Sequence, residues 1–191
     1  GGGGGSGGTA VGLSSDELYP FTSHTFTNCG STGIFGPSKS QCTTAYSSAS
    51  WASQAAYFDV PSAGYQLWTV PVTGEYTITA GGASEGYDKG LGATITSTYT
   101  LNKGEQYWIC IGQRGAQGNG TGNWGASGGG GGTFMVRRVG DESYSSTSIY
   151  DVLIIAGGGG GSAIRGDAHH YGDGKSSTEV RNSFTTETTG G

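Results

Sequence analysis

Hydrophobic and polar residues alternate strictly along two stretches of the chain. In residues 91–101, alanine, isoleucine, tyrosine and leucine alternate with threonines, and residues 75–80 repeat the pattern around Tyr76 and Ile78. Strict alternation is typical of a strand with one face buried and one face in solvent. Residues 102–105 (Asn-Lys-Gly-Glu) predict a turn that leads into the next strand.

Further segments favour strands by their content of aromatic and β-branched residues. Residues 106–112 and 133–139 are of this kind, and residues 151–156 are apolar on both faces, which predicts a central strand covered on both sides. Residues 38–46 alone predict a helix, of one or two turns, because Ser38 and Gln41 have the spacing of a capping box. The pattern therefore predicts an all-β fold, an antiparallel β-sandwich or a jelly-roll-like arrangement.

Glycine accounts for 41 of the 191 residues and is concentrated in runs, with apolar strand-like segments between two of them. Glycine segments can adopt the polyproline II conformation and satisfy one another's backbone groups when several lie side by side. The alternative is a set of flexible linkers. We assign assembly through such glycine strands to three runs: Gly1, Gly2, Gly3, Gly4, Gly5; Gly128, Gly129, Gly130, Gly131, Gly132; and Gly157, Gly158, Gly159, Gly160, Gly161.

Charge and motif content argue against several classes of function. Charged residues make up 12% of the chain and the net charge is −5, so we expect no nucleic-acid partner, and no apolar run is long enough for membrane insertion. Neither a paired-carboxylate nor an H-E-x-x-H pattern occurs, and His169 and His170 are expected in a solvated loop rather than in a metal site. We therefore expect no enzyme, no catalytic residues, no cofactor and no metal.

The cysteines and one asparagine point to an extracellular protein. Cys29 and Cys42 are separated by a short, turn-rich segment, which favours a disulfide, although two unpaired thiols on a loop are the alternative. Cys110 lies in an apolar strand and is expected to be a small buried residue, with an intermolecular disulfide as the alternative. A disulfide implies an oxidising, secreted setting. Asn119 begins an N-x-S/T acceptor, so we expect a glycan there if the source is eukaryotic.

Several segments resemble the glycine-rich ectodomain of the anaplastic lymphoma kinase and leukocyte tyrosine kinase receptor family, over roughly residues 17–165. The most specific is Phe-Thr-Asn-Cys-Gly at residues 26–30, followed by Cys42. The other matching segments, in the same order, are residues 66–71, 73–76, 101–105, 111–115, 128–133 and 153–160. The resemblance implies a TNF-like β-sandwich joined to a bundle of polyglycine II helices, with Cys29 and Cys42 disulfide-bonded.

The resemblance also has limits. The sequence contains no kinase, transmembrane segment or growth-factor-like module, so signalling is not carried over. In the family further glycine runs follow the segment like 153–161, whereas this chain turns polar there and carries its spare run at the amino terminus. We divide it into an amino-terminal glycine strand (1–12), a glycine-rich β-sandwich domain (13–165) and a polar extension (166–191).

Two functions follow as expectations. The first is a structural subunit of a secreted fibre or matrix, in which copies of the chain pack head-to-tail through glycine strands, with glycans as further candidate partners. The alternative is an extracellular ligand-binding or adhesion module of a receptor-like protein, and the tripeptide at residues 165–167, Arg-Gly-Asp, is one that some adhesion receptors recognise.

Overall fold

The computed structural model describes residues 16–118, 124–139, 151–165 and 168–172 of the chain. Within these ranges it is mostly β-structure, with one short α-helix and one 3₁₀ turn. The helix, α1, is Lys39–Ala45 and the 3₁₀ turn is Ser50–Ser53. The strands are β1 Phe58–Ser62, β2 Tyr65–Thr69, β3 Gly74–Gly81, β4 Thr94–Leu101, β5 Gln106–Cys110, β6 Trp124–Ala126, β7 Thr133–Arg137, β8 Asp151–Ala156, β9 Gly160–Arg165 and β10 Ala168–Gly172.

The strands form three sheets, and every pairing between strands in them is antiparallel. The largest has the order β1-β2-β5-β7-β8, a second has the order β10-β9-β6, and β3 pairs with β4 alone. The sequence-based prediction of a mainly β, antiparallel protein is therefore confirmed. The 168–172 segment is a strand, so the expectation of a loop at His169 and His170 was wrong.

The β3–β4 pair shows the alternation that the sequence predicts. Pairs of threonine hydroxyls hydrogen-bond across its exposed face, Thr77 with Thr98 at 3.1 Å and Thr79 with Thr96 at 2.8 Å. Its other face carries half-buried isoleucine and tyrosine side chains that pack against the core. The strand begins at Thr94, however, and not at residue 91. Residues 91–93 instead pack with glycine segments, as described below.

Strand β8 differs more strongly from its prediction. It lies at the edge of the five-stranded sheet, whereas its apolar sequence predicts a central strand. The core covers one of its faces, where Ile154 is buried, while Ile155 and, beyond a register shift in the pairing with β7, Val152 are exposed. A strand with two apolar faces is thus buried on one side only. Its other side leaves apolar residues exposed on the outer face of the five-stranded sheet.

The main core lies on the inner face of the five-stranded sheet and is rich in aromatic rings. Trp68, Tyr107 and Ile109 project from the sheet, and aromatic side chains from residues 19–26 and 46–58 pack over them. Offset and edge-to-face arrangements of this kind stabilise beyond the buried area itself. The packing fixes the extended segment 21–26 across the sheet.

A buried polar network holds the same extended segment in register. Gln66 is fully buried on the sheet, and its Nε2 donates to the carbonyl of Thr27 at 2.8 Å. The hydroxyl of Tyr46 donates to Gln66 Oε1 at 2.8 Å and accepts from the Thr27 amide at 2.8 Å. Burial raises the pKa of Tyr46. Because each buried polar group has a partner, the network can specify one position for the segment.

Candidate recognition surfaces and their glycine scaffold

A disulfide between Cys29 and Cys42 joins the end of the extended segment to helix α1. The two Cα atoms are 5.0 Å apart, and Cys42 is fully buried. Ser38 caps the helix with the reciprocal bonds of a capping box: its amide donates to Gln41 Oε1 at 2.8 Å and its hydroxyl accepts from the Gln41 amide at 3.3 Å. Cys110 is a free, half-buried thiol on β5, and burial raises its pKa.

Outside the five-stranded sheet, two of the assigned glycine runs lie against a third segment through backbone contacts. The amide of Gly130 donates to the carbonyl of Gly159 at 2.8 Å, and the amide of Gly159 donates to Ala83 at 2.9 Å. The amide of Ala83 in turn donates to Gly131 at 3.0 Å. Residues 82–86, 128–132 and 157–161 therefore bond to one another in a closed triangle of chains, each of the three joined to both others.

Residues 112–118 extend this arrangement with a period of three. A Cβ atom added at Gly112, Gly115 or Gly118 would collide with the backbone of residues 131, 128 and 126 respectively. The carbonyls of Gln113 and Ala116, also three apart, each accept an amide from the facing run at 2.9 Å. Three residues per turn is the period of the polyproline II conformation. Glycine is required at every third position because there the neighbouring backbone leaves no room for a side chain.

Sequence reasoning missed the segments at residues 82–86, 90–93 and 112–118, because it looked for uninterrupted glycine runs. The signal was the spacing G-x-x-G-x-x-G from Gly112 to Gly118, which has the same period of three as the backbone contacts. An added Cβ at Gly92 would likewise meet the backbone of Gly82, and one at Gly159 would meet the backbone of Gly90. Among the described residues, the segments that pack with the glycine runs thus come from residues 82–118.

The buried carboxylate of Glu85 stabilises the turn between two of these segments. Its oxygens accept the amides of Tyr87 at 2.9 Å and Lys89 at 2.8 Å, and the hydroxyl of Ser127 also donates to it. Burying a carboxylate is costly unless it is hydrogen-bonded, and here several donors meet it. The interactions connect the turn at 85–90 to the glycine run that follows residue 127.

The outer face of the five-stranded sheet is an exposed apolar surface. Register places Phe134 between Cys110 and Ile155, and Val136 between Trp108 and Val152. Phe134, Val152 and Ile155 are 41%, 55% and 43% exposed. Exposed apolar patches of this kind mark interaction surfaces in soluble proteins.

A loop beside the β1–β2 turn carries two further exposed apolar side chains, Ile34 and Phe35. The loop is held against the β1–β2 turn by the close approach of Gly36 to Gly64, where a Cβ on Gly36 would lie 2.5 Å from the Gly64 Cα. Both glycines have positive φ, +71° and +86°, which favours glycine. The amide of Gly64 also donates to the Pro37 carbonyl at 2.9 Å. The loop therefore presents its apolar side chains from a fixed base.

A groove opens between the extended segment 21–26 and strand β3. Its cavity of about 620 Å³ has the inner face of the five-stranded sheet as a floor, including Trp68, Ile109, Met135 and Ile154. We name it the β3 groove. His24 lies in its wall among edge-on aromatic rings, with ring centroids 4.5 Å from Tyr46 and 4.8 Å from Trp51. Burial lowers the pKa of His24.

The remaining predicted site residues have these outcomes. Gly1 to Gly5 and Asn119 lie outside the described residues, so the assembly and glycan assignments there stay predictions. Gly160 and Gly161 belong to β9. Arg165 ends β9, and the rest of its tripeptide is outside the described ranges. Over the part of the chain that the structure describes, no cluster of histidine, cysteine and acidic residues suits a metal ion, and no helix has the length and apolar character to cross a membrane.

The geometry defines a disulfide-bonded, antiparallel β domain with interlocked glycine segments. Comparison with known proteins finds a partial similarity to the leukocyte tyrosine kinase receptor of Mus musculus, with 35% identity over 96 residues. The match covers 47% of this chain and 11% of the receptor. No family model matches the chain. The similarity is distant and partial; with the disulfide, it indicates an extracellular location.

Proposed function

We propose that this chain is an extracellular, non-catalytic recognition module of a receptor-like protein. The observation that carries the proposal is its partial similarity to a receptor, the mouse leukocyte tyrosine kinase receptor. The chain offers two apolar surfaces for a partner, the outer face of the five-stranded sheet and the β3 groove. Strands of the five-stranded sheet form the first surface and the floor of the second, which keeps a binding surface pre-organised.

The proposal includes a finer view of the architecture. We infer that β3–β4 and the extended segment 21–26 form the second layer of a β-sandwich over the five-stranded sheet, with the aromatic core between the layers. We infer also that residues 82–86, 90–93, 112–118, 128–132 and 157–159 form a bundle of polyglycine II helices. The closed triangle of backbone bonds and the period-three contacts support this view. Such a bundle would serve as a rigid support for the sandwich.

The direct test is to look for a saturable extracellular partner. The full chain, secreted from eukaryotic cells as a fusion to a dimeric carrier, would be screened against the arrayed extracellular proteins of its source organism. A recognition module should bind one of them reversibly and saturably, and the binding should be lost when the domain is reduced and heated. The carrier alone is the control. A chain that remains folded and binds no extracellular protein would contradict the proposal.

A second candidate is self-assembly into a secreted fibre or matrix. The exposed apolar outer face, with Phe134, Val152 and Ile155, favours it because such faces also mediate contacts between copies. Light scattering and negative-stain imaging of the purified chain over a range of concentrations separate the candidates. A recognition module stays a dispersed monomer or small oligomer, whereas a fibre subunit forms filaments whose length grows with concentration.

A further inference from the structure

We propose that the β3 groove binds an extended peptide strand of a partner protein, by addition of that strand to the free edge of β3. The inference rests on the proposed recognition function and names the kind of partner. Strand addition uses the backbone for affinity and pockets for alternate side chains for specificity. The groove provides both.

The walls of the groove are two stretches of extended backbone. Every residue of 21–26 and of 74–80 lines it, so both faces of β3 contribute, which places the cavity along the strand's edge. β4 pairs with the other edge of β3, and the described residues provide no further strand partner for β3. Residues 22–26 likewise make no backbone hydrogen bond within the described part of the chain. Unpaired backbone of this kind is a template for an additional strand.

The floor of the groove selects apolar side chains at alternate positions. Trp68, Ile109, Met135 and Ile154 come from four neighbouring strands of the sheet beneath. Successive side chains of a bound strand would point alternately to this floor and to solvent, because the strand repeat is two residues. A cavity of about 620 Å³ is within the range that holds bound ligands. Residues 74–80 offer an edge for a strand of similar length.

The rim sets the polar character of the strand. The rim carries one carboxylate, Glu75, near the first residue of β3. Its other polar side chains are hydroxyls, those of Thr22, Ser23, Thr25, Thr77 and Thr79. No lysine or arginine lines the groove. The rim therefore fits a strand with neutral polar residues on its solvent side and a basic residue at the Glu75 end. His24 adds a buried Nε2 with no hydrogen-bond partner among the described groups, which a ligand backbone group could satisfy.

The test uses the full chain and a displayed library of seven-residue peptides. Each peptide has apolar residues at alternate positions with Ser or Thr between them. It also has a single lysine, at the amino-terminal end in half of the peptides and at the carboxy-terminal end in the other half. A second library has the same composition at helical spacing. We expect enrichment from the first library alone. Binding of an enriched peptide, measured by fluorescence anisotropy, should weaken about tenfold or more when alternate peptide nitrogens are methylated, because the backbone bonds are lost.

Two variants separate the groove from general effects on the fold. Ile78→Ala removes a side chain that lines the groove, and should weaken peptide binding about tenfold. Ile95→Ala changes a half-buried isoleucine on β4 that does not line it, and should leave binding unchanged. Thermal melting confirms that both remain folded. Equal enrichment from both libraries overturns the proposal. So does a peptide affinity that is unchanged by Ile78→Ala and by methylation of the peptide nitrogens.

Other occupants give distinct results. Peptide binding that appears only after deletion of residues 1–15 would assign the groove to the chain's own amino-terminal segment and overturn the proposal. A dimer that Ile78→Ala dissociates would assign it to a second copy, with the same consequence. Binding of a fatty acid without any peptide would make it an apolar ligand pocket and likewise overturn it. If an extracellular partner is found whose binding ignores Ile78→Ala, the recognition function stands and the groove proposal fails.

Discussion

The aromatic core and the glycine region are stabilised in opposite ways. Under the five-stranded sheet, large side chains such as Phe58, Trp68 and Trp51 fill the space between backbones. In the glycine region the backbones themselves touch, and the amide of Gly130 reaches the carbonyl of Gly159 at 2.8 Å. The core gains mainly from buried apolar area, and the glycine region from backbone hydrogen bonds and close packing.

This difference gives the two regions opposite responses to side-chain size. Removing atoms from the core leaves a cavity, and the loss scales with what was removed. Adding one carbon atom to the glycine region forces backbones apart, because no flexible side chain is present to move away. Stability measurements on variants of the two regions test this contrast.

The largest effect is expected from Phe58→Ala. Phe58 is 1% exposed and contacts the rings of Phe26, Tyr46 and Trp51, so truncation should lower the free energy of unfolding by about 3–5 kcal/mol. Phe134→Ala, on the outer face of the same sheet, is the matched control and should cost less than about 1 kcal/mol. Urea denaturation measures both. Similar losses from the two variants would show that this core does not depend on side-chain filling.

The next effect is the removal of the disulfide. Replacing both Cys29 and Cys42 with alanine should cost about 3 kcal/mol, the value expected for a loop of this size. Cys110→Ala is the control and should change stability little. Hydrogen exchange of the double alanine variant then compares the two regions. Relative to the wild type, amide protection should fall more in residues 42–46, next to the lost disulfide, than in residues 128–132. A larger loss of protection in the glycine segments would contradict a disulfide effect confined to the aromatic region.

A smaller effect is expected from one methyl group in the glycine region. Gly158→Ala places its Cβ against the backbone of Gly130 and should cost about 1–3 kcal/mol. Its neighbour Gly157 is the matched control, since a Cβ there meets nothing within 4 Å. Gly157→Ala should be neutral or slightly stabilising, because alanine restricts the unfolded chain. Equal melting temperatures for the two variants would refute close backbone packing as the basis of this region.

The smallest effect is the pH response of His24. Burial lowers its pKa below the ordinary value, so the unfolded chain takes up the proton first. The stability contributed by neutral His24 is complete above about pH 6.5 and is lost as the pH falls toward the folded-state pKa. Between pH 7.5 and pH 5, the melting temperature should fall further for the wild type than for His24→Phe. Identical pH profiles would exclude this role, since all other histidines are shared.

The sequence predicted the elements that side-chain pattern alone determines. The alternation in β3 and β4 and the capping box at Ser38 were sufficient for two strands and the helix. Strand order could not be predicted from the sequence. Apolar residues on both faces of β8 indicate that the strand is buried but do not identify the elements that cover it, and one face is exposed in the structure. The β3 groove could not be predicted from the sequence either, because it depends on how segment 21–26 crosses the sheet.

The period-three contacts of Gly112, Gly115 and Gly118 also bear on how this segment can change length. Each glycine meets the backbone of the facing run at its own position, so the segment behaves as a sequence of triplets. Loss of one residue would turn a non-glycine side chain toward the facing backbone at every later contact. Loss of three would shorten the segment by one period and leave the remaining glycines in place. Insertions and deletions in related chains should therefore occur here in multiples of three.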